Sequence, residues 1–146
     1  MRFTRWWNPS LPQTLAVAAM LLYVQAVFAF LGLMGIGLGG SAYVFLVFLF
    51  DTGTPNLNTL SSLALLATLG SALAYGFAAL AIVNGQRIGW KVGLGVAIGA
   101  VILPLAAGGL GLVLSSSYVI GYLFDIALVA ALAHPQSREY QKIWFE

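Results

Sequence analysis

The segment SSSYVIGYLFDIALVAALAHPQ, residues 115–136, places a carboxyl group, Asp125, inside an almost entirely apolar run. The whole chain has only four acidic residues, so this placement calls for an explanation. A carboxylate near the middle of a bilayer is costly unless it is paired, and such residues usually have a partner or a function. Asp125 could bind other helices through hydrogen bonds, face a polar or cationic residue of a partner protein, or couple the movement of an ion or proton.

Other groups that could do chemistry are scarce. The chain has no cysteine, which excludes disulfides, thiolate metal sites and thiol nucleophiles, and it has one histidine, His134. Asp125 and His134 are nine residues apart and face different directions on a helix, so they form neither a catalytic pair nor a metal site. We therefore expect no enzyme activity, no metal and no cofactor.

The composition indicates what kind of structure positions Asp125. Of the 146 residues, 61% are hydrophobic and 7% are charged, whereas a soluble domain has about 25% charged residues. The net charge of +2 is too small to indicate a nucleic-acid partner. Four stretches are long enough to cross about 30 Å of hydrocarbon; they are residues 11–38, 60–83, 88–107 and 110–133. The sequence predicts a single transmembrane domain, residues 1–146, with an all-α four-helix bundle in the lipid bilayer.

The basic residues predict the orientation of this bundle. They fall in three pairs, one before the first span, one between the second and third spans, and one after the fourth span. The pairs are Arg2 and Arg5, Arg87 and Lys91, and Arg138 and Lys142. Four spans put all three pairs on one side, which the positive-inside rule makes cytoplasmic. Both termini are therefore predicted to be cytoplasmic.

Two shorter apolar segments lie outside the predicted spans. Residues 41–50 make only about 15 Å of helix, half of a crossing, and we expect a short helix or hairpin in the outer interface. Alternatively the first span tilts and protrudes, or the aromatic residues of this segment dock on another membrane subunit; these are Tyr43, Phe45, Phe48 and Phe50. The tail, residues 137–146, is predicted to be an amphipathic helix on the inner leaflet, with Tyr140 and Trp144 on its apolar face.

Small residues mark the faces on which membrane helices approach each other. The second span has Gly70 and Ala74 at four-residue spacing, and the fourth span has Gly121 in register with Asp125. The third span carries two such rows, which are Gly89 with Gly93 and Gly95 with Gly99. All of these residues are predicted to pack against helices of the bundle or of a protein neighbour.

The depth of Asp125 predicts its neighbours. It precedes the end of the fourth span at Ala133 by eight residues, which is about 12 Å of helix. Tyr75 lies at the same depth by the same count, and Arg87 could extend its side chain toward the carboxyl group. The predicted intramembrane polar cluster comprises Asp125, Gln25, Tyr23, Tyr75, Tyr122 and Arg87.

The block LFDIALVAALAHPQSREYQKIWF and the loop NGQRIGWKVGL resemble those of small bacterial four-span integral membrane proteins of unknown function. The resemblance covers mainly the second half of the chain. It implies a multi-pass protein of the bacterial plasma membrane, and it brings no activity or functional residues with it.

The leading functional hypothesis is a non-enzymatic membrane protein that acts by helix association. It would be an accessory or scaffolding subunit of a larger membrane complex, or a self-associating bundle. One alternative is a small transporter or channel that uses Asp125. A second alternative is a lipid- or quinone-binding module that uses Tyr23 and Tyr75.

Overall fold

The computed structural model describes residues 5–33, 57–114 and 119–145, and within these ranges all regular structure is helical. The helices are α1 (Gln13–Leu33), α2 (Leu57–Val83), α3 (Arg87–Val113), α4 (Val119–Ala133) and α5 (Pro135–Trp144). The predicted all-α class is confirmed for the described residues. The segment 41–50, with Tyr43, Phe45, Phe48 and Phe50, lies outside them, and so do Arg2 and residues 115–118.

The helices differ in their capacity to cross a membrane. Among the described residues, Gln13–Leu31 in α1 and Arg87–Ala106 in α3 are each long and apolar enough. The helices α4 and α5 would form a third span if they are counted together, although they meet at an angle of 53°. In α2, Leu69–Val83 is a shorter apolar helix. Two to three spans are therefore compatible with the structure, and the count of four stays a prediction.

The helices pack in chain order, and α4 also packs against α1. The most extensive contact joins α1 and α2, where alanine side chains such as Ala18, Ala19, Ala78 and Ala79 are fully buried. Small side chains let two helix backbones come close, which is the main source of packing energy in lipid. Helix α5 lies across one end and contacts α1, α3 and α4.

A tight turn joins α2 to α3 at the predicted NGQR segment. The Gln86 amide donates to the Ala81 carbonyl at 2.9 Å, and the Gly85 amide donates to the Ile82 carbonyl at 3.0 Å. These two bonds make a Schellman motif, which ends α2 by satisfying its last carbonyl groups. Gly85 has a φ of 71°, a conformation that glycine adopts without the steric cost other residues meet.

The predicted break after the third span is present at Gly109, but the next separate helix starts later than expected. The sequence places a loop at residues 108–111 and starts the fourth span at residue 110. In the structure α3 continues to Val113 and bends at Gly109, whose backbone is non-helical (φ 60°, ψ -159°). The helical residues before and after Gly109 therefore meet at a kink within α3, and α4 begins at Val119.

Candidate functional site

Asp125 lies in the interior, where three helices meet. Its side chain is 1% exposed. The Gln25 side-chain amide on α1 donates a hydrogen bond of 2.6 Å to the Asp125 carboxyl group. The Tyr75 hydroxyl on α2 also hydrogen-bonds this carboxyl group. A single acidic side chain of α4 is thus bonded to both α1 and α2.

Helical periodicity explains why these residues face inward. Leu128 and Leu132 are one and two turns beyond Asp125 on the same face of α4, and both are fully buried. On α1, Leu22 lies one turn before Gln25 and is also fully buried. The apolar packing of these leucines therefore positions the polar groups that lie next to them.

Two of the predicted tyrosines have other partners. The Tyr23 hydroxyl donates to the Trp6 carbonyl at 3.0 Å. Because Tyr23 is two residues from Gln25, its side chain leaves α1 about 200° around the helix axis from Gln25. The Tyr122 hydroxyl donates to the Val101 carbonyl of α3 at 3.3 Å, so it joins α4 to α3.

Arg87 is placed at the end of the molecule and not beside Asp125. It is the first residue of α3, it is exposed, and its guanidinium donates to the Lys142 carbonyl of α5 at 3.1 Å. This contact satisfies one of the free carbonyl groups at the end of a helix. The structure therefore brings Asp125, Gln25 and Tyr75 together and places Tyr23, Tyr122 and Arg87 in other contacts.

The predicted tail helix starts two residues earlier than expected and is docked on the rest of the chain. It begins at Pro135, and the His134 side chain caps it by accepting from the Gln136 amide at 3.2 Å. Ser137 is fully buried, donates to the Ala131 carbonyl at 2.7 Å and lies 2.8 Å from the Thr14 hydroxyl. This bond between α1 and α5 could not be predicted from the sequence, because a serine or threonine in an amphipathic pattern does not indicate its hydrogen-bond partner.

The two tail aromatics proposed as a partner surface differ in their exposure. Tyr140 packs within the chain, since its ring lies against Trp144 and Phe145 and its hydroxyl donates to the Ser10 carbonyl at 3.4 Å. Trp144 is 67% exposed. Of the two, only Trp144 presents most of its side chain to the surroundings.

Gly89 and Gly93 lie at contacts between helices. A Cβ atom at Gly89 would come within 2.5 Å of the Ala81 Cβ and 2.7 Å of the Ile82 backbone nitrogen. A Cβ atom at Gly93 would lie 3.4 Å from Ala78 of α2 and from Leu22 of α1. This side of α3 is therefore the inner face of the helix.

The other predicted packing glycines make no close contact with a second helix among the described residues. Gly70, Gly95 and Gly121 are exposed, and a Cβ atom at each would meet nothing within 4 Å among the described residues. At Gly99 it would meet only Leu103 of the same helix, at 3.9 Å. Ala74 is half-buried. The spacing identifies the small-residue rows, but it does not say which row the chain itself covers.

Comparisons with protein-family models, with curated proteins and with solved structures found no match for this chain. Among the described residues, no group of three or more histidine or acidic side chains is close enough to hold a metal ion.

Proposed function

We propose that this chain is a non-enzymatic, multi-pass membrane protein that acts by binding another membrane helix. It would do so as an accessory or scaffolding subunit or by self-association. The observation that carries the proposal is the outward position of the Gly95–Gly99 row on α3. A Gly-xxx-Gly row lets a second helix approach closely, and in lipid this close approach drives association.

The surface around this row suits a helix. We call Gly95, Ile98, Gly99 and Ile102 the Gly95 face, since they recur on one side of α3. Beside it, α3 and α4 enclose an apolar groove of about 360 Å³, lined by Ile98, Val101, Ile102, Ile126, Val129 and Ala130. The glycines admit the partner's backbone, and the groove accepts the side chains that project from it.

A bacterial plasma-membrane location and a four-span bundle with cytoplasmic termini are part of the same proposal. The three pairs of basic residues support the orientation. Hydrogen bonds link Arg5 to Asn84, Arg87 to Lys142, and Tyr140 to Ser10. These contacts support placing the N-terminal segment, the α2–α3 turn and the tail on one side of the membrane. The packing of α4 against both α3 and α1 supports a bundle.

The buried carboxyl group supports association more than transport. A coupling site must be reached by water or an ion, but Asp125 is 1% exposed and is bonded to Gln25 and Tyr75. Its contacts suit a residue that holds α1, α2 and α4 together. A transporter would instead lose its activity when Asp125→Asn removes the ionisable group.

Native mass spectrometry of protein extracted gently from its own membrane tests the proposal. We expect the wild type in an assembly much heavier than one chain of 15.4 kDa. Gly95→Leu should dissociate the assembly, because the bulky side chain blocks close approach while leucine favours the helix.

Ala127→Leu is the matched control, because it adds bulk at an exposed position of α4. This variant should leave the assembly intact. A monomeric wild type, or an assembly that survives Gly95→Leu, would contradict the proposal.

A further inference from the structure

A second feature lies at the end of the molecule that carries the basic residues. The N-terminal segment, the α2–α3 turn and the end of α5 enclose a polar cavity of about 280 Å³ that opens to the surface. Arg5, Asn84, Gly85, Tyr140 and Trp144 are among the residues that line it. Segments distant in the sequence form this cavity, so its shape depends on the folded chain.

Two asparagine side chains hydrogen-bond the backbone segments that form the cavity. The Asn84 side chain accepts from the Arg5 amide at 3.2 Å and donates to the Arg5 carbonyl at 2.8 Å. The Asn8 side chain donates to the Val83 carbonyl at 3.2 Å. The backbone of Arg5 is thus tied to the turn. Arg5 is the one charged residue among the described residues that line the cavity.

The end of the molecule that contains the cavity is basic. The same end of the described chain has four exposed basic side chains, those of Arg87, Lys91, Arg138 and Lys142. Glu139 is the acidic residue at this end among the described residues. Such a concentration of positive charge attracts anions, and basic pockets at the ends of membrane helices suit the headgroups of anionic lipids.

Exposed indoles place the cavity at the depth of the lipid headgroups. Trp144 lines the cavity and is 67% exposed, and Trp6, next to Arg5 in the chain, is 79% exposed. Tryptophan prefers the membrane–water interface, where its ring contacts acyl chains and its N–H contacts polar groups. At this depth the cavity meets lipid phosphate groups more often than anions dissolved in the aqueous phase.

We propose that this cavity binds the phosphate headgroup of an anionic phospholipid. The Arg5 guanidinium donates to the phosphate oxygens, and a planar guanidinium matches two of these oxygens at once. The exposed Trp144 ring lies against the glycerol and the start of an acyl chain. The site shares no residue with the Gly95 face, so either proposal can fail without the other.

Lipid retention tests the site. The full chain is reconstituted with equal amounts of phosphatidylglycerol and phosphatidylcholine, extracted, and its bound lipids are counted by native mass spectrometry. The wild type should retain phosphatidylglycerol preferentially. Arg5→Gln should lower this preference about tenfold, through the loss of charge-assisted bonds to phosphate.

Arg138→Gln removes the same charge from an exposed position of α5 and should change retention less than about twofold. Equal losses in the two variants would mean that only the overall positive charge matters and would overturn the site. No loss in Arg5→Gln would also overturn it.

A competition experiment tests whether the site prefers the phosphate of a lipid to free inorganic phosphate. Millimolar inorganic phosphate should leave the lipid bound, because the acyl chains add contacts that free phosphate lacks. Displacement of the lipid by inorganic phosphate would overturn the lipid assignment. Circular dichroism should show that Arg5→Gln is folded, since Asn84 bonds only the backbone of Arg5.

Discussion

The two small-residue faces of α3 look alike in sequence and differ in what they contact. Gly89 and Gly93 touch α2, and Gly93 also touches α1. Gly95 and Gly99 contact no other helix of the described chain. The inner face thus contributes to the fold of the chain, whereas we assign the outer face to a partner. Glycine spacing therefore predicts where a second helix can pack closely, but it does not predict whether that helix belongs to the same chain or to a partner.

The same substitution on the two faces gives the largest expected difference. Gly89→Ala should destabilise the fold by about 3 kcal/mol, because its methyl group would overlap Ala81 and the backbone of Ile82. Gly95→Ala should be neutral or stabilising by up to about 1 kcal/mol, because its surroundings are open and alanine favours a helix. Thermal unfolding in lipid nanodiscs measures both, and equal losses would refute the distinction between the faces.

The buried carboxyl group gives the next largest effect. Asp125→Leu leaves the Gln25 amide and the Tyr75 hydroxyl buried without their acceptor, and should cost about 1–3 kcal/mol. Asp125→Asn keeps a carbonyl oxygen for Gln25 and should cost less than about 1 kcal/mol. Unfolding in the same nanodiscs compares the two variants. If Asp125→Asn lowers the free energy of unfolding as much as Asp125→Leu does, Asp125 stabilises the fold through its charge and not through its hydrogen bonds.

A smaller effect is expected at Trp90, next to Gly89 on α3. Its indole N–H donates to the Leu132 carbonyl of α4 at 3.0 Å. Trp90→Phe keeps an aromatic ring but removes this bond, and should lower the free energy of unfolding by about 1 kcal/mol. Trp144→Phe, at an exposed position, should change it by less than about 0.5 kcal/mol. A larger loss at Trp144 would contradict the assignment of Trp90 to the packed side.

Residue spacing predicted part of the polar cluster for a simple reason. A helix rises about 1.5 Å per residue, so counting from its end placed Tyr75 and Asp125 at one depth. Depth does not specify the direction of a side chain, and Tyr23, which shares the depth of the predicted cluster, points about 200° away from Gln25 on α1. The long side chain of Arg87 makes a contact with Asp125 conceivable from the sequence, and the same length lets it reach the Lys142 carbonyl instead.

The helical class and the apolar spans also follow from composition, because so few charged residues cannot cover a water-exposed surface. Composition does not predict the residue at which α3 ends. The glycines of residues 108–111 are typical of a loop, but only the backbone at Gly109 departs from helical geometry within α3. The polar cavity could not be predicted either, since Arg5 and Asn84 are brought together by the packing of α1 on α2.

Site-specific cross-linking in native membranes tests most directly the claim that the Gly95 face binds another helix. The chain has no cysteine, so Ile102→Cys and Leu73→Cys each introduce a single attachment point for a thiol-directed photocrosslinker. Both positions are similarly exposed, at 55% and 65%, but Ile102 lies on the Gly95 face and Leu73 lies on α2. We expect a discrete, heavier product from Ile102→Cys and none from Leu73→Cys. No product at 102, or equal products at both, would contradict this claim.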